Sequence, residues 1–334
     1  MTSRPSPPLS PEQSRALDLV RAGKRFVLVG HVRPDGDCLG AQAALARTLT
    51  ALGKEVWVIN TDPLPANLDY LSQAVRYRVF SGGELPAHDV SVFLDFCELE
   101  RCGALAAPLK AAASKKLVID HHIHHGERWW DEAFVDVKAA ATGLLVWRMA
   151  QQLGTEIDAR GAEGVFTSIV TDTGWFKYSN TDSETFHVVS ELLAAGVDPS
   201  ALYSSIYQRS SREEPRGIAR ALDRLEYFDD GKLAVIDLPL AVDGEADLGD
   251  SDAVLDLLRA VEKVEVVLFL RESRDGSCKL SARSKTTRNV NELARRFGGG
   301  GHAKASGATI RMPLAQAKAA LVSASLELWG AQTR

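Results

Sequence analysis

The chain has 334 residues, 45% of them hydrophobic and 25% charged, with 39 basic against 44 acidic side chains and a net charge of −5. That is the balance of a globular protein long enough for two domains at roughly 100–200 residues each, and it excludes a non-specific polyanion binder. No run approaches the ~18 apolar residues of a membrane span. The four cysteines (Cys38, Cys97, Cys102 and Cys278) form no Cys-x-x-Cys pair or disulfide framework, so a cytoplasmic protein without membrane contact is expected.

Residues 1–14, rich in proline and without an apolar stretch, read as a disordered leader. Ser14 to Ala22 then suits a short helix stopped by Gly23, and Phe26 to Val29 a buried strand running into Gly30-His31-Val32-Arg33-Pro34-Asp35-Gly36-Asp37. Leu39, Ala43, Leu45, Leu49 and Leu52 give the next helix its apolar side, Gly53 a stop, and Glu55 to Ile59 the following strand. Strand, loop, helix and strand at this spacing make a βαβ unit with a parallel neighbour. The pattern recurs: Val90 to Leu94 ends at Asp95, Arg101 to Ala113 is helix-permissive, and Leu117-Val118-Ile119 stops at Asp120-His121-His122. Helices are expected over Thr142 to Leu153 and Gly164 to Thr171, the second delivering Asp172. An open, parallel α/β sheet covered on both faces is therefore expected over residues 15–190.

Residues 191–228 read as a helical connector, with breaks at Gly196 to Pro199 and Ser210 to Pro215. Strands return at Lys232 to Leu238, Val264 to Leu270, Ser277 to Arg283 and near Ala308 to Arg311, with helices at Val290 to Phe297 and at the end. Residues 229–334 are thus expected to form a smaller α/β domain, facing the first across a cleft.

Strand ends in an open α/β sheet share one edge, where ligands bind. His31, Asp35 and Asp37, then Asp95, then Asp120, His121 and His122 all fall on such ends, and Asp172 can join them. Any one of these groups could be a polar turn. Four carboxylates (Asp35, Asp37, Asp95 and Asp172) in one pocket would be prohibitive without cations, and two divalent ions would balance them. Mixed imidazole and carboxylate donors suit Mn2+, Fe2+, Co2+ or Zn2+ rather than Mg2+ or Ca2+ alone. Paired ions ~3.5–4 Å apart are typical of phosphoester hydrolases.

The ordered set His31-x-x-x-Asp35-Gly36-Asp37, Asp95, Asp120-His121-His122 and Asp172 resembles the four motifs of the DHH phosphoesterases. Gly299-Gly300-Gly301-His302-x-x-Ala305-Ser306-Gly307 resembles the signature of the DHH-associated C-terminal domain. The resemblance spans about residues 15 to 330. It implies one metal held by His31, Asp35 and Asp95 and another by Asp37, Asp95, His121 and Asp172, with Asp95 as the bridge and Mn2+ as the expected ion. It further implies that His122 contacts the scissile phosphate and that Asp120 orients a histidine, so catalysis would rest on His122, Asp95 and Asp120. Cys38 and Ala41 stand where the family commonly has Ala and Ser; Cys38 is expected to pack as a small apolar residue. His124 and His125 are expected to be exposed loop residues.

From Arg271 to Lys304 nine basic residues face three acidic ones. Arg295 and Arg296 suit a solvated face, whereas Arg283 and Ser284 at a strand end suit phosphate. The glycine tract reads as a loop whose amides approach phosphate. The resemblance carries substrate binding to Arg283, Gly300, Gly301 and His302, with Ser284 added as a hydrogen-bonding neighbour and His122 from the first domain. Trp175, Phe176 and Tyr178 could stack on a base but are read as core.

One local basic site offers few phosphate contacts, which favours short substrates over long strands. Within the family, the two-domain form resembles the group that cleaves short RNA oligonucleotides, including linear dinucleotides such as pApA and pGpG, and dephosphorylates the nucleoside bisphosphate 3′-phosphoadenosine 5′-phosphate. The alternatives are a cyclic-dinucleotide phosphodiesterase, a RecJ-like single-strand exonuclease, a non-catalytic nucleotide-binding module and a metal-stabilised structural protein. A homodimer is the assembly entertained.

Overall fold

The structure, a computed structural model, describes residues 8–124, 126–240 and 252–330. The chain divides into two compact units, residues 1–209 and 210–334. Residues 191–228 are therefore shared between the units rather than forming a third body.

In the first unit, α1 (Pro11–Ala22) starts three residues earlier than expected, inside the segment read as leader, because Ser10 and Gln13 form a reciprocal capping box and Pro11 suits the first turn. Residues 1–7 of that segment lie outside the described residues. β1 (Arg25–Val29), β2 (Glu55–Asn60), β3 (Tyr77–Val79), β4 (Val90–Leu94), β5 (Lys115–Asp120) and β6 (Glu132–Val135) form one parallel sheet in the order β3-β2-β1-β4-β5-β6. The order reverses between β1 and β4, the crevice where such sheets bind ligands.

Alternation along β1 sends Phe26 and Leu28 into one core and Val27 and Val29 into the other, so both faces are covered. The first face is packed by α1, α2 (Gly36–Ala51), α4 (Thr142–Gln152) and α5 (Ala159–Asp172); α3 (Ala106–Ala111) packs on the second. The helix expected over 101–113 is broken: Gly103 takes φ +59, and a 3-10 turn, Leu99–Leu105, precedes α3. The unit closes with α6 (Ser183–Ala194) and α7 (Pro199–Tyr207).

The α2–α5 contact decides the site. A Cβ on Gly40 would lie 2.4 Å from the carbonyl oxygen of Gly164, and one on Gly164 would lie 2.7 Å from that of Gly40. The two helices therefore meet backbone to backbone, and any side chain at either glycine would force them apart.

The second unit contains α8 (Glu214–Leu222), β7 (Leu225–Phe228), β8 (Leu233–Leu238), α9 (Asp252–Arg259), β9 (Val266–Glu272), β10 (Cys278–Ser284), α10 (Val290–Arg296), β11 (Gly300–Gly301), β12 (Ala305–Ile310) and α11 (Leu314–Trp329). Its sheet runs β11-β12-β10-β9-β8-β7, antiparallel except for the β8–β9 pair, with a core on each face.

Candidate metal centre

Every first-unit residue singled out by the motifs lies at the carboxyl edge of the parallel sheet or on the helices beside it. His31 follows β1, Asp35 caps α2 and accepts from the Cys38 N–H at 3.1 Å, and Asp37 sits in that helix's first turn. Asp95 follows β4, Asp120 ends β5, and Asp172 is the last residue of α5. Asp95 takes φ +70, a costly conformation for a non-glycine residue, and Arg33, Trp175 and Phe176 beside the site share it at +53, +59 and +69.

Three trios bring one donor atom each to within 4.8 Å of one another: His31, Asp35 and Asp95; Asp37, His121 and Asp172; and Asp95, His121 and His122. His31 Nε2 is 3.3 Å from Asp95 Oδ2 and 3.8 Å from Asp35 Oδ1. His121 Nε2 is 3.3 Å from Asp37, 3.6 Å from Asp95 and 3.8 Å from Asp172.

Both imidazoles are held by the opposite nitrogen: His31 Nδ1 donates to the Val32 carbonyl at 2.9 Å and His121 Nδ1 to the Ala139 carbonyl at 3.0 Å. Their Nε2 lone pairs thus point at carboxylates, which repel them unless a proton or a cation intervenes. His121 Nε2 is buried and lacks a hydrogen-bond partner among the described residues. Three carboxylates around this orphaned atom, beside a second group of His31 and Asp35 that shares Asp95, fit divalent cations.

The titration of the site points the same way. Burial alone would lower the His31 and His121 pKa values, but the close carboxylates of Asp35 and Asp95 in one case and of Asp37 in the other carry both up to about 10. Burial, then the charge of Asp37, raises Asp172 to about 7 and pushes Asp95 well above the carboxylate range. Without cations the cluster therefore holds protons in their place, and metal binding must expel them.

The histidines stabilise the metal-free fold fully below their ordinary 6.5, and that contribution is lost as pH rises through about 10. Asp172 contributes fully below 3.8 and loses its share as pH rises through about 7. The metal-free protein should therefore melt lower at pH 9 than at pH 6, and Mn2+ should raise its Tm more at pH 9, by several degrees in a thermal-shift assay. An equal Mn2+ effect at both values would contradict this charge balance.

Asp120 is fully buried and accepts from the backbone N–H of His121 at 2.8 Å and of His122 at 3.2 Å, and from His122 Nδ1 at 2.8 Å. Its other oxygen accepts from the Cys97 thiol at 3.0 Å. Burial, then the Asp120 hydrogen bond, act oppositely on His122, and the bond prevails to raise its pKa. The His122 side chain is 34% exposed. Asp120 thus fixes the ring through Nδ1.

Several contributors carry no motif. Thr142 and Gly143 donate backbone N–H bonds to Asp37, the Thr142 hydroxyl reaches Asp95, Ser168 Oγ bonds Asp37, and Asn180 Nδ2 bonds Asp172 at 3.1 Å. Cys38 is buried with its sulfur toward the Leu94 carbonyl, a packed apolar residue as expected. His124 differs from expectation: its ring packs against Trp130 at 4.8 Å and is only 20% exposed. His125 lies outside the described residues. Trp175 and Phe176 pack against the first core, while Tyr178 is 38% exposed.

In the second unit Arg283 is ion-paired with Asp252 at 2.9 Å. Strand alternation turns Ser284 to the opposite face, where it is buried with its hydroxyl toward the Thr286 carbonyl, so the two are not presented together. Lys285 binds the Val261 and Glu262 carbonyls, and Arg288 pairs with Asp229 and Glu265; both bind protein groups. The glycine tract is not an open loop. The Gly298 and Gly299 amides bond the end of α10, and Gly300 and Gly301 pair with Gly307 and Ser306. A Cβ on Gly299 would lie 2.1 Å from the Gly307 carbonyl oxygen. His302 is exposed at the hairpin turn, its backbone bonded to Ala305.

Residues 25–169 match the DHH family, N-terminal domain, and residues 230–328 the DHHA1 domain. The bifunctional oligoribonuclease and PAP phosphatase NrnA of Thermus thermophilus is 34% identical over 281 residues, 84% of this chain and 82% of its own length. The protein of the same name from Mycoplasma pneumoniae is 26% identical over 300 residues, 89% and 91% of the two chains. The crystal structure of an exopolyphosphatase-related protein from Bacteroides fragilis aligns with a TM-score of 0.88 at 27% identity, covering 95% of this chain and 96% of that one. With a third of positions identical to one relative across most of both chains, and both domains matched in order, this chain belongs to the DHH family of phosphoesterases, in the form that carries a DHHA1 domain.

Proposed function

We propose that this protein is a two-metal phosphoesterase that hydrolyses short RNA oligonucleotides, including pApA and pGpG, to mononucleotides and removes the 3′-phosphate of 3′-phosphoadenosine 5′-phosphate to give AMP. The carrying observation is the buried His121 Nε2, without a hydrogen-bond partner among the described residues, amid Asp37, Asp95 and Asp172 and beside a second pocket of His31 and Asp35 that shares Asp95. The substrate class rests on the similarity to the NrnA relatives.

In this reading His31, Asp35 and Asp95 hold one ion and Asp37, Asp95, His121 and Asp172 the other, with Mn2+ favoured by the mixed nitrogen and oxygen donors. When bound, such ions acidify water and neutralise charge on the transferring phosphoryl group. The chain's own contribution is placement. Asp120 fixes His122 through Nδ1, and the ring so held is proposed to face a phosphoryl oxygen and to stabilise charge that grows as the phosphorus–oxygen ester bond breaks. Water adds to phosphorus, and the leaving oxygen departs as the hydroxyl of the shortened product.

Arg283, Gly300, Gly301 and His302 are proposed to hold the rest of the substrate, with Ser284 as a buried support behind Arg283. Arg283 must exchange Asp252 for a phosphate to do so. Arg283→Ala should raise KM for pApA about tenfold or more with little change in kcat, as expected for the loss of a charged hydrogen bond felt equally in ground and transition states. A fall in kcat at unchanged KM would assign it elsewhere. A homodimer is the proposed assembly, to be read from sedimentation.

The decisive assay follows AMP release from pApA and from the bisphosphate, with the metal-free protein and after adding Mn2+. Turnover only with the ion supports the proposal. No turnover of either substrate with Mn2+, Co2+, Zn2+ or Mg2+ ends it.

A further inference from the structure

Thr142 carries no motif and would pass in the sequence as an ordinary first residue of a helix. In the structure it is fully buried, and it hydrogen-bonds an acid of each proposed ion pocket. Its backbone N–H donates to Asp37 Oδ2 at 3.0 Å and its hydroxyl to Asp95 Oδ1 at 3.0 Å. The next amide, Gly143, reaches Asp37 Oδ1 at 3.3 Å and Ser168 Oγ at 2.7 Å. Among the described residues outside the proposed ligand set, Thr142 alone hydrogen-bonds both Asp37 and Asp95.

The element that presents it is held fast. Further along α4, Arg148 is 7% exposed and bridges Asp136 at 2.7 Å and Glu184 at 2.6 Å, tying the helix to the segment after β6 and to α6. Gly143 packs closely on α5, since a Cβ there would lie 2.3 Å from Ser168 Oγ. The helix N-terminus also directs its amides at Asp37, a favourable place for a carboxylate. Asp95 is only 3% exposed, and among the described residues outside the proposed ligand set the Thr142 hydroxyl is the side-chain donor it meets.

We infer that Thr142 is a positioning residue that sets the relation between the two ion pockets, its hydroxyl aiming the shared Asp95 carboxylate while its backbone anchors Asp37 from the same helical turn. This rests on the two-ion proposal for the centre. The backbone bond survives any substitution, so the hydroxyl can be tested by itself: Thr142→Val removes it at nearly constant volume, and Thr142→Ser keeps it.

The experiment titrates Mn2+ into metal-free wild type and both variants by calorimetry, checks stoichiometry by elemental analysis, and records metal-free melting and kcat and KM for pApA. Groups that orient metal ligands typically govern affinity by about 10- to 100-fold. Thr142→Val should lose at least about tenfold in Mn2+ affinity and lower kcat more than it changes KM, and Thr142→Ser should recover most of both. A merely structural threonine would lower the melting temperature of the valine variant and leave Mn2+ affinity at the wild-type value; that result overturns the inference, as does a serine variant no better than valine. If valine is not accommodated, Thr142→Ala removes the same hydroxyl without new contacts and is held to the same outcomes. Equal Mn2+ uptake by wild type and variant sinks the inference alone, whereas a wild type that takes up no Mn2+ sinks the two-ion proposal as well.

Discussion

Asp95→Asn should abolish turnover of pApA and of 3′-phosphoadenosine 5′-phosphate, by about 10³-fold or more, and should cost the protein bound Mn2+. Asp95 lies in two of the three donor trios, with one oxygen 3.3 Å from His31 Nε2 and the other 3.6 Å from His121 Nε2. The amide that replaces it has the same shape but only one good donor oxygen and no charge, so neither proposed ion keeps its full set. Divalent ions supply several kcal/mol of transition-state stabilisation, and each 1.36 kcal/mol is tenfold in rate. Folding should survive. Burial and Asp37 already press Asp95 toward its neutral form in the metal-free protein, and asparagine resembles that form. Metal analysis beside kinetics and melting checks all three parts, and a variant with two Mn2+ and near-normal kcat would show that Asp95 does not bridge.

His122→Ala should instead lower kcat by about 10²–10³ while leaving Mn2+ content and fold unchanged, the loss typical when one preorganised donor to a transferring group is removed. The contrast with His121 is geometric. His121 turns its free nitrogen into the carboxylates, whereas His122 has Nδ1 on Asp120 and a partly exposed ring. The trio of Asp95, His121 and His122 allows the opposite assignment, with His122 as a ligand. Loss of one Mn2+ equivalent in His122→Ala would establish that alternative.

The first-unit sheet and the titratable residues of this site were legible in the sequence for a physical reason. A parallel sheet buried on both faces leaves short apolar runs, and acids or imidazoles at their carboxyl ends interrupt those runs abruptly. Charge arithmetic then required cations before any geometry was available. What stayed hidden were neutral donors on helices. Thr142, Ser168, Cys97 and Asn180 are residue types found everywhere, and only the folded chain brings them to the acids. The edge strands β3 and β6 are short and only partly buried, so they lack the apolar run that betrayed their neighbours. The glycine tract differs from expectation because a hairpin that packs backbone against backbone selects glycine as firmly as an anion loop does. The separation of Arg283 from Ser284 was legible in principle, since adjacent strand residues point to opposite faces.

The contact between Gly40 and Gly164 bears on how the centre holds its dimensions. Asp37 and Asp172 ride on α2 and α5, and at the crossing the closest approach is between main-chain atoms. Side chains between two helices can change rotamer and let their separation drift; a bare glycine packed against the other helix's carbonyl cannot. The crossing therefore acts as a gauge block, fixing how far apart two proposed ligand carboxylates stand before any ion arrives. An ion that wanted a different spacing would have to move whole helices to obtain it.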